Sequence, residues 1–394
     1  MVDHFNTIVL GLGAVGSAAL YQLARRGDKV LGIDQFEPPH TLGSTHGETR
    51  ITRKAIGEGE LFTPISLRGY EIFRQLESEG SRELLRITGG LMISSPTSGG
   101  IHNTANFFEN TISAAKKYDI RHDVLDAEAI RKRFPQFKVR DDEVAYYEYD
   151  SGVLSPESCV EVQLALAEKL GAQIHKNEKV LEFSQKGSGV TVTTSNGIYQ
   201  AEQLIVAAGP WLPKLLEQEL SSIFKIQRQV QFWFDVQTCY EQFKPGAFPV
   251  FIWELTGACQ SMYGFPAMEG AAGGLKVGTE GYNKVVTVDT VEREVSADEM
   301  AETYAKQIQP FFPAAVGPCF KSRVCLYTTT PDTAFVIDRL PGSPSIIVAS
   351  PCSGHGFKHS AAIGEGLAEL VLDGQSRLDF SEFKLERFGS LNPV

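Results

Sequence analysis

Hydrophobic residues near the N-terminus fall into two short runs, separated by a glycine-rich turn and a segment of helical periodicity. Residues 7–10 and 30–33 are apolar runs of the kind that form buried parallel strands. Between them, apolar residues recur at helical spacing from Ala18 onward, and Gly27 can end that helix. The pattern predicts a strand, a turn, a helix and a second strand in succession.

The glycine turn of this unit has the spacing of a dinucleotide-binding site. Gly11 allows a sharp turn, Gly13 lets the backbone approach a pyrophosphate, and Gly16 lets the helix pack closely on the strand. The helix N-terminus offers unpaired N–H groups to the phosphates. Asp34 ends the second strand, where an acid can accept hydrogen bonds from ribose hydroxyls. The acid favours FAD or NAD over NADP, and the turn does not choose between FAD and NAD.

Periodicity along the rest of the chain predicts further helices and strands. Helical spacing predicts helices over residues 60–76, 105–117, 127–134, 158–170 and 298–309. Short apolar or alternating runs predict strands at 91–93, 144–148, 173–175, 179–183, 190–194, 198–201, 324–327 and 335–337. A separate buried strand is predicted from residue 204, ending in small residues and Gly209. Those small residues fit the close approach of a flat cofactor, or a generic core strand.

Residues 230–288 have a different sequence pattern, in which aromatic residues alternate with other residues in several short runs. Alternation predicts an antiparallel sheet with one face turned towards a cavity. The end of the chain then repeats the strand, glycine turn and helix of the N-terminal unit, with an apolar strand at 345–349, a glycine turn at 354–358 and a helix at 361–372. Two distant glycine turns fit one long cofactor held at two places.

A polar segment, residues 43–53, follows the first nucleotide-binding unit directly. Arg50 and Arg53 stand three residues apart, so on a helical turn they share a face. They are either ordinary solvated arginines or part of a ligand site, since loops after parallel strands are where ligands bind.

Composition narrows the class of protein further. The 394 residues are 42% hydrophobic and carry a net charge of −11, which argues against a general nucleic-acid binder. The six cysteines show no paired metal-ligand spacing, so no metal site is predicted. The first residues lack an apolar leader, no apolar run reaches a membrane span, and residues 391–394 are not a peroxisomal address. We expect a cytoplasmic protein without a membrane partner.

Several segments together resemble the monomeric sarcosine oxidase and N-methyltryptophan oxidase family of flavoproteins. The matching segments are residues 38–40, 43–50 with Arg53, 263–266, 275–278, 324–328 and 353–358, in the family's order. The resemblance implies FAD rather than NAD. It also implies a thioether between the flavin 8-methyl carbon and Cys325, where the residues alone favour a buried free thiol.

The resemblance implies a role for each matching basic residue. Arg53 and Lys358 match the pair that grips the substrate carboxylate, which suits a bidentate guanidinium and a point-like ammonium. Lys276 matches the lysine that reaches flavin N5 through water and promotes the reaction with oxygen. Arg50 and His46 match basic residues whose positive charge favours the anionic reduced flavin.

Other predicted positions follow from the same motifs. Tyr263 matches an active-site tyrosine that lines the substrate cavity. The predicted cofactor contacts are Gly11, Gly13, Gly16, Asp34, Ser44, Thr45, Thr49, Val180, Gly209, Cys325, Gly354, Gly356, Phe357 and Lys358.

The chain departs from the family pattern beside the substrate. The family's lysine strand carries a histidine four residues on, and here Glu280 occupies that position. An acid there would repel a second carboxylate or attract an extra cation, so we predict Glu280 as a substrate contact. Ile252 stands where a methionine is expected, and the connection from Tyr263 to Lys276 is longer than in sarcosine oxidase. These changes affect the choice of substrate rather than the reaction class.

The predicted fold is an α/β, Rossmann-like FAD-binding domain with an inserted α+β substrate domain built on a mainly antiparallel sheet. Residues 1–85, 150–220 and 328–394 are assigned to the FAD-binding domain, and residues 86–149 and 221–327 to the substrate domain. We expect a monomer.

The predicted activity is oxidation of a secondary amino acid, either N-methylated or cyclic. A hydride passes from the carbon beside nitrogen to flavin N5, water hydrolyses the resulting imine, and oxygen is reduced to hydrogen peroxide. Two alternatives remain open at this point: a flavin dehydrogenase that passes electrons to a partner, and a non-catalytic flavin-binding protein.

Overall fold

The computed structural model describes residues 3–95, 104–255, 261–281, 284–312 and 316–389. The expectations for the first two residues, for Cys259 and for residues 391–394 concern parts of the chain outside these ranges. Within the ranges, no helix combines the length and apolar character needed to cross a membrane. The same part of the chain contains no group of three or more His, Cys, Asp or Glu residues arranged to hold a metal ion.

Three of the α-helices, which begin at Ala14, Pro156 and Ser360, pack together beside the predicted glycine turns. The α-helices of the described ranges are α1 (Ala14–Arg25), α2 (Phe62–Gly80), α3 (Phe107–Lys117), α4 (Ala127–Arg133), α5 (Pro156–Lys169), α6 (Gln218–Ser221), α7 (Tyr240–Phe243), α8 (Ala297–Thr303) and α9 (Ser360–Leu372). A Cβ on Gly364 would lie 2.4 Å from the Cβ of Ala18, so α9 packs closely on α1. On its other side α1 contacts α5, where Ser17 Oγ donates to Gln163 Oε1 at 2.7 Å.

The strands of the described ranges make three sheets. They are β1 (Asp3–Leu10), β2 (Val30–Ile33), β3 (Arg50–Thr52), β4 (Leu85–Ile87), β5 (Gly90–Ser94), β6 (His122–Leu125), β7 (Val144–Glu148), β8 (Gly152–Leu154), β9 (Gln173–His175), β10 (Val180–Lys186), β11 (Gly189–Thr194), β12 (Ile198–Val206), β13 (Lys225–Phe234), β14 (Val250–Glu254), β15 (Ser261–Phe265), β16 (Leu275–Glu280), β17 (Val285–Val286), β18 (Cys319–Thr329), β19 (Val336–Leu340) and β20 (Ser343–Ser350).

The first sheet contains the nucleotide-binding unit. Its order is β10-β11-β12-β1-β2-β9, and β20 also pairs with β12 and with β19. The central pairs β12–β1, β1–β2, β2–β9 and β12–β20 are parallel, as buried strands joined by helices should be. One apolar cluster fills the space between this sheet and the helices, and another covers the opposite face.

The second sheet is the predicted aromatic one. Its order is β17-β13-β16-β15-β14-β5-β7-β6, with β18 also paired to β13. Its pairs are antiparallel apart from β14–β5. Strands β3, β8 and β4 form the small third sheet. The strands of the first sheet fall within the segments assigned to the FAD-binding domain, while the domain boundaries themselves stay a prediction.

Three local predictions differ from the structure. Arg50 and Arg53 do not lie on a helical turn, because Arg50–Thr52 form the strand β3, paired with β8. The strands predicted at 198–201 and from residue 204 are one strand, β12. It stays continuous because its first half pairs antiparallel with β11, its second half pairs parallel with β20, and β1 spans both. The helix predicted over 298–309 is α-helical only in α8 and continues as a π-helical turn, Tyr304–Ile308.

Candidate active site

One cavity extends between the two glycine turns and along the face of the second sheet. It encloses about 1960 Å³ that atoms do not occupy, including the part open to solvent. Fifteen of the predicted site residues line it: Gly11, Gly13, Asp34, Ser44, Thr45, Arg50, Arg53, Val180, Gly209, Tyr263, Glu280, Gly354, Gly356, Phe357 and Lys358. The other predicted site residues do not line the described part of the cavity wall: Gly16, His46, Thr49, Lys276 and Cys325.

The first glycine turn has no room for side chains. Gly11 has φ +86°, and a Cβ there would lie 2.6 Å from the carbonyl oxygen of Ala207. A Cβ on Gly16 would lie 1.7 Å from the carbonyl oxygen of Gly11, which explains why it contributes to packing rather than to the wall. The Asp34 carboxylate accepts hydrogen bonds from the backbone N–H groups of Leu12 at 2.8 Å and Phe36 at 2.9 Å. The turn and the acid are therefore fixed relative to each other.

The second glycine turn closes the other side of the cavity. Gly354 has φ +89°, and a Cβ on Gly356 would lie 1.7 Å from the carbonyl oxygen of Pro351. The turn continues through a 3₁₀ segment, Phe357–His359, into α9. A long cofactor with a pyrophosphate fits this arrangement, because both turns present backbone without side chains to the same elongated space. The residues present therefore fit FAD.

The sheet wall of the cavity comes from one row of residues across four strands. Gln231, Gly278, Tyr263 and Ile252 are paired in register across β13, β16, β15 and β14. Gln231, Tyr263 and Ile252 line the cavity. A Cβ on Gly278 would lie 2.4 Å from the Tyr263 ring, so glycine leaves space for the tyrosine. The burial of Tyr263 raises its pKa to about 12, so the phenol stays protonated.

Lys276 lies behind this wall, two residues along the same face of β16. Its Nζ donates to the carbonyl oxygen of Gly47 at 2.6 Å and to the carbonyl oxygen and Oγ1 of Thr49, both at 3.0 Å. Its Nζ also lies 5.1 Å from the centroid of Trp233. Burial, followed by the charge of Arg50, lowers the pKa of Lys276 well below its ordinary value. The oxygens and the aromatic face oppose that effect.

Arg50 lies between the cavity and Cys325. Its guanidinium donates to the carbonyl oxygens of Ser44 at 2.7 Å and Thr49 at 2.8 Å, and Nη2 lies 3.7 Å from Cys325 Sγ. Burial raises the pKa of the Cys325 thiol, and Arg50 acts in the opposite direction. Cys325 is 1% exposed, immediately behind the arginine that lines the cavity.

The expectation of a positive charge at His46 needs correction. His46 is buried, and its Nε2 lies 3.2 Å from the carbonyl oxygen of Gly43. Burial, followed by the charge of Arg50, lowers the pKa of His46 to about 3. The imidazole is therefore neutral near neutral pH, and the positive charge of this region comes from Arg50.

Arg53 and Lys358 converge on a buried acid, Glu58. Arg53 Nη2 lies 2.6 Å from Glu58 Oε2, and Lys358 Nζ lies 3.5 Å from Glu58 Oε1. Arg53 also donates to the carbonyl oxygen of Ala55 at 2.7 Å, and Lys358 donates to that of His355 at 2.8 Å. Burial lowers the pKa of Lys358 to about 8, although Glu58 opposes the shift. We call Arg53, Lys358 and Glu58 the carboxylate clamp.

Sequence reasoning missed three acids around the site. Glu58 lines the cavity between two glycines of a loop, a position that gave no motif signal. Glu148 is fully buried and accepts hydrogen bonds from the backbone N–H groups of Lys54 at 2.7 Å and Ala55 at 3.0 Å. Glu157 accepts from the N–H group of Gly47 at 2.6 Å. The last two acids therefore hold the loops that present Arg53 and the partners of Lys276.

Glu280 lies on the cavity wall at the other end of β16 from Lys276. It is 8% exposed, and its Oε2 accepts a hydrogen bond from Ser261 Oγ at 3.0 Å. Burial raises the pKa of Glu280 to about 7, while the Ser261 hydrogen bond opposes the shift. The side chain is therefore within reach of a ligand and can change its charge near neutral pH.

The sequence is similar to known flavoenzymes over nearly its whole length. It is 38% identical over 375 residues to monomeric sarcosine oxidase of Streptomyces avermitilis, with 95% of each chain covered. It is 32% identical over 391 residues to N-methyl-L-tryptophan oxidase of Escherichia coli, with 98% of this chain and 99% of the relative covered.

Solved structures resemble the fold at lower identity. NikD, an unusual amino acid oxidase essential for nikkomycin biosynthesis, aligns with a TM-score of 0.81 at 22% identity, covering 97% of each chain. L-proline dehydrogenase from P. horikoshii aligns with a TM-score of 0.80 at 20% identity, covering 98% of each chain. Residues 6–370 match the family described as FAD dependent oxidoreductase. With both glycine turns facing one cavity, and with relatives above 30% identity over nearly the full length, the chain belongs to the FAD dependent oxidoreductase family.

Proposed function

We propose that this protein oxidises the carbon–nitrogen bond of a secondary amino acid and passes the electrons to oxygen, releasing hydrogen peroxide. The observation that carries the proposal is the carboxylate clamp, which faces the cavity shared by the two glycine turns. The relatives named for sarcosine and N-methyl-L-tryptophan support the same class of substrate.

The clamp orients the substrate in this proposal. Arg53 and Lys358 bind the carboxylate of the substrate. The substrate carboxylate either joins Glu58 as a second counter-ion of these two cations or replaces Glu58 in that role. A fixed carboxylate places the amine and its neighbouring carbon against the row that contains Tyr263. FAD, when bound, supplies the hydride acceptor and the centre that reacts with oxygen.

Lys276 and Arg50 set the charge at the other end of the site. Both side chains donate hydrogen bonds to carbonyl oxygens of the loop at residues 47–50, which fixes their position in the structure. We propose that they favour negative charge as it develops on the cofactor and on oxygen. His46 contributes as a neutral group, because its pKa is lowered to about 3.

We also propose that Cys325 carries the cofactor through a thioether. Its position behind Arg50, with Sγ 3.5 Å from the carbonyl oxygen of Ser44, supports attachment beside the cavity wall. Peroxide release, a monomeric state and a cytoplasmic location remain predictions.

The test is an anaerobic panel of sarcosine, N-methyl amino acids and cyclic secondary amino acids, read by bleaching of the flavin absorbance. We expect bleaching by at least one member and peroxide formation once air is admitted. Bleaching without peroxide, with electrons reaching only an added dye, would identify a dehydrogenase. No bleaching by any member would overturn the proposed activity.

Arg53→Met gives the second test, with Arg228→Met as its control. Arg228 is also a buried arginine paired with a glutamate, since its Nη1 lies 2.8 Å from Glu299 Oε1, but it does not line the described cavity wall. We expect Arg53→Met to weaken substrate binding by roughly a hundredfold, as loss of a charge-assisted bidentate contact requires. An equal loss of substrate affinity in the two variants would show that Arg53 does not bind the substrate carboxylate.

A further inference from the structure

Glu280 places an acid at the substrate end of the cavity. Lys276 and Glu280 are four residues apart on β16, so they share a face and are separated by roughly 13 Å along the strand. Lys276 lies towards the loop at residues 47–49, whereas Glu280 lines the same cavity as Arg53 and Lys358, whose charges act on its carboxyl. The acid therefore belongs to the clamp end of the cavity.

A cross-strand row sets the position of the Glu280 carboxyl. Ser261 on β15 is paired with Glu280 on β16 and with Glu254 on β14. The Ser261 hydroxyl donates to Glu280 Oε2 at 3.0 Å, and Ser94 Oγ donates to Glu254 Oε2 at 2.9 Å. Glu280 and Ile252 both line the cavity. The serine hydrogen bond orients the Glu280 carboxyl at the end of β16.

The charges at this end already balance before a substrate binds. Of the described residues there, Arg53 and Lys358 contribute two positive charges, and Glu58 with ionised Glu280 contributes two negative charges. Arg50 also lines the cavity, but its guanidinium lies beside Cys325, at the end of the cavity near Lys276, where it acts on the Lys276 ammonium. Hydride transfer from the carbon beside nitrogen needs the nitrogen lone pair, so the reacting amino acid has a neutral amine and an ionised carboxylate. It adds one negative charge that these four residues do not compensate, which is unfavourable in a desolvated cavity. A cation on the side chain would restore the balance.

We propose that Glu280 is a specificity-determining residue, which selects secondary amino acids whose side chain carries a second, cationic group such as an ω-ammonium or a guanidinium. The proposal rests on the carboxylate clamp of the proposed function. The substrate carboxylate lies on Arg53 and Lys358, and the side-chain cation lies on Glu280. An anionic side chain is rejected by the same charge.

Binding of small carboxylates to the FAD-loaded protein tests this without turnover. The probes are ω-amino carboxylates from β-alanine to 6-aminohexanoate, each paired with the alkanoate of the same length. Calorimetry is done anaerobically, just above the Glu280 pKa of about 7. We expect the best ω-amino carboxylate to bind about tenfold more tightly than its alkanoate, as a new charge-assisted contact implies.

Glu280→Gln should act in opposite directions on the two kinds of probe. The amide keeps an oxygen for the Ser261 hydroxyl but removes the charge, so ω-amino carboxylates should bind more weakly and alkanoates more tightly. The control is Glu143→Gln, since Glu143 is a buried acid that accepts from Trp253 Nε1 at 2.9 Å and lies outside the described cavity wall. A structural defect would weaken both kinds of probe together.

The outcomes separate this inference from the proposed function. If alkanoates bind but no ω-ammonium improves affinity, or if the preference survives in Glu280→Gln, the role of Glu280 is overturned. If no carboxylate binds at all, the clamp and the inference both fail. If the preference is present but no secondary amine bleaches the flavin, the proposed oxidation fails and the role of Glu280 stands.

Discussion

The substitution Glu148→Gln tests whether the substrate arginine is held in place by an acid outside the cavity. Glu148 accepts four hydrogen bonds. Oε1 accepts from the Lys54 N–H group at 2.7 Å and Ser151 Oγ at 2.9 Å, and Oε2 accepts from the Ala55 N–H group and the Tyr146 hydroxyl, both at 3.0 Å. The two backbone donors follow Arg53 directly in sequence. The carboxylate therefore fixes the loop whose carbonyl oxygen at Ala55 receives the Arg53 guanidinium.

The magnitude follows from the hydrogen bonds that an amide cannot accept. In Glu148→Gln, an NH₂ group replaces one oxygen and faces one backbone N–H donor, so that hydrogen bond is lost. The hydroxyl on the same side can turn to accept from the NH₂ group, and the remaining hydrogen bonds lose the charge of the acceptor. One unsatisfied buried N–H group, together with three hydrogen bonds weakened by loss of the charge, corresponds to roughly 3 kcal/mol of unfolding free energy. Displacement of Arg53 should also weaken propionate binding by about tenfold or more, because clamp geometry is sensitive to small shifts.

The assay combines urea unfolding with propionate titration of the FAD-loaded protein. Glu143→Gln is the matched control, since Glu143 is 1% exposed and accepts from the Arg140 N–H group at 2.7 Å and from Trp253. Both substitutions should reduce stability, and only Glu148→Gln should reduce propionate affinity beyond the control. Equal affinities in the two variants would refute the positioning role, and unchanged stability of Glu148→Gln would refute the hydrogen-bond argument.

Three further predictions concern the chemistry of the site. Lys276→Met should slow reoxidation by oxygen far more than anaerobic flavin reduction in stopped-flow measurements, and equal effects on both would contradict its role. Cys325→Ser should release yellow colour into the supernatant after acid precipitation, whereas the wild type and Cys319→Ser keep it in the pellet; colour released from the wild type would contradict the thioether. Propionate affinity should fall as pH rises through about 7 and about 8, because Glu280 then gains negative charge and Lys358 loses positive charge. Isothermal titration calorimetry should show that the change in propionate affinity near pH 7 is lost in Glu280→Gln. A wild-type propionate affinity that does not change with pH would contradict the roles given to Glu280 and Lys358.

Features governed by local backbone geometry could be read from the sequence. The two glycine turns were predictable because Gly11 has φ +86° and because a Cβ on Gly16 or Gly356 would meet the carbonyl oxygen of the residue five positions earlier. The sheet face that carries Lys276 and Glu280 follows from strand alternation, since residues an even number apart point the same way. Such rules act between neighbouring residues, so the fold class and most elements followed from them.

Partners distant in sequence were not predictable in this way. Glu58, Glu148 and Glu157 are ordinary loop or element-end acids in the sequence. They gain importance only when folding brings Glu58 to Lys358, Glu148 to the loop that follows Arg53, and Glu157 to the loop beneath Lys276. The neutral state of His46 likewise depends on burial beside Arg50.

By itself, then, the sequence determined where the chain turns, which faces are apolar and which charged residues are available. Only the tertiary structure decided which of those charges are neutralised, held or left facing the cavity. The physical reason is that desolvation and charge pairing depend on distances through space, and these exist only once segments far apart in sequence have packed together.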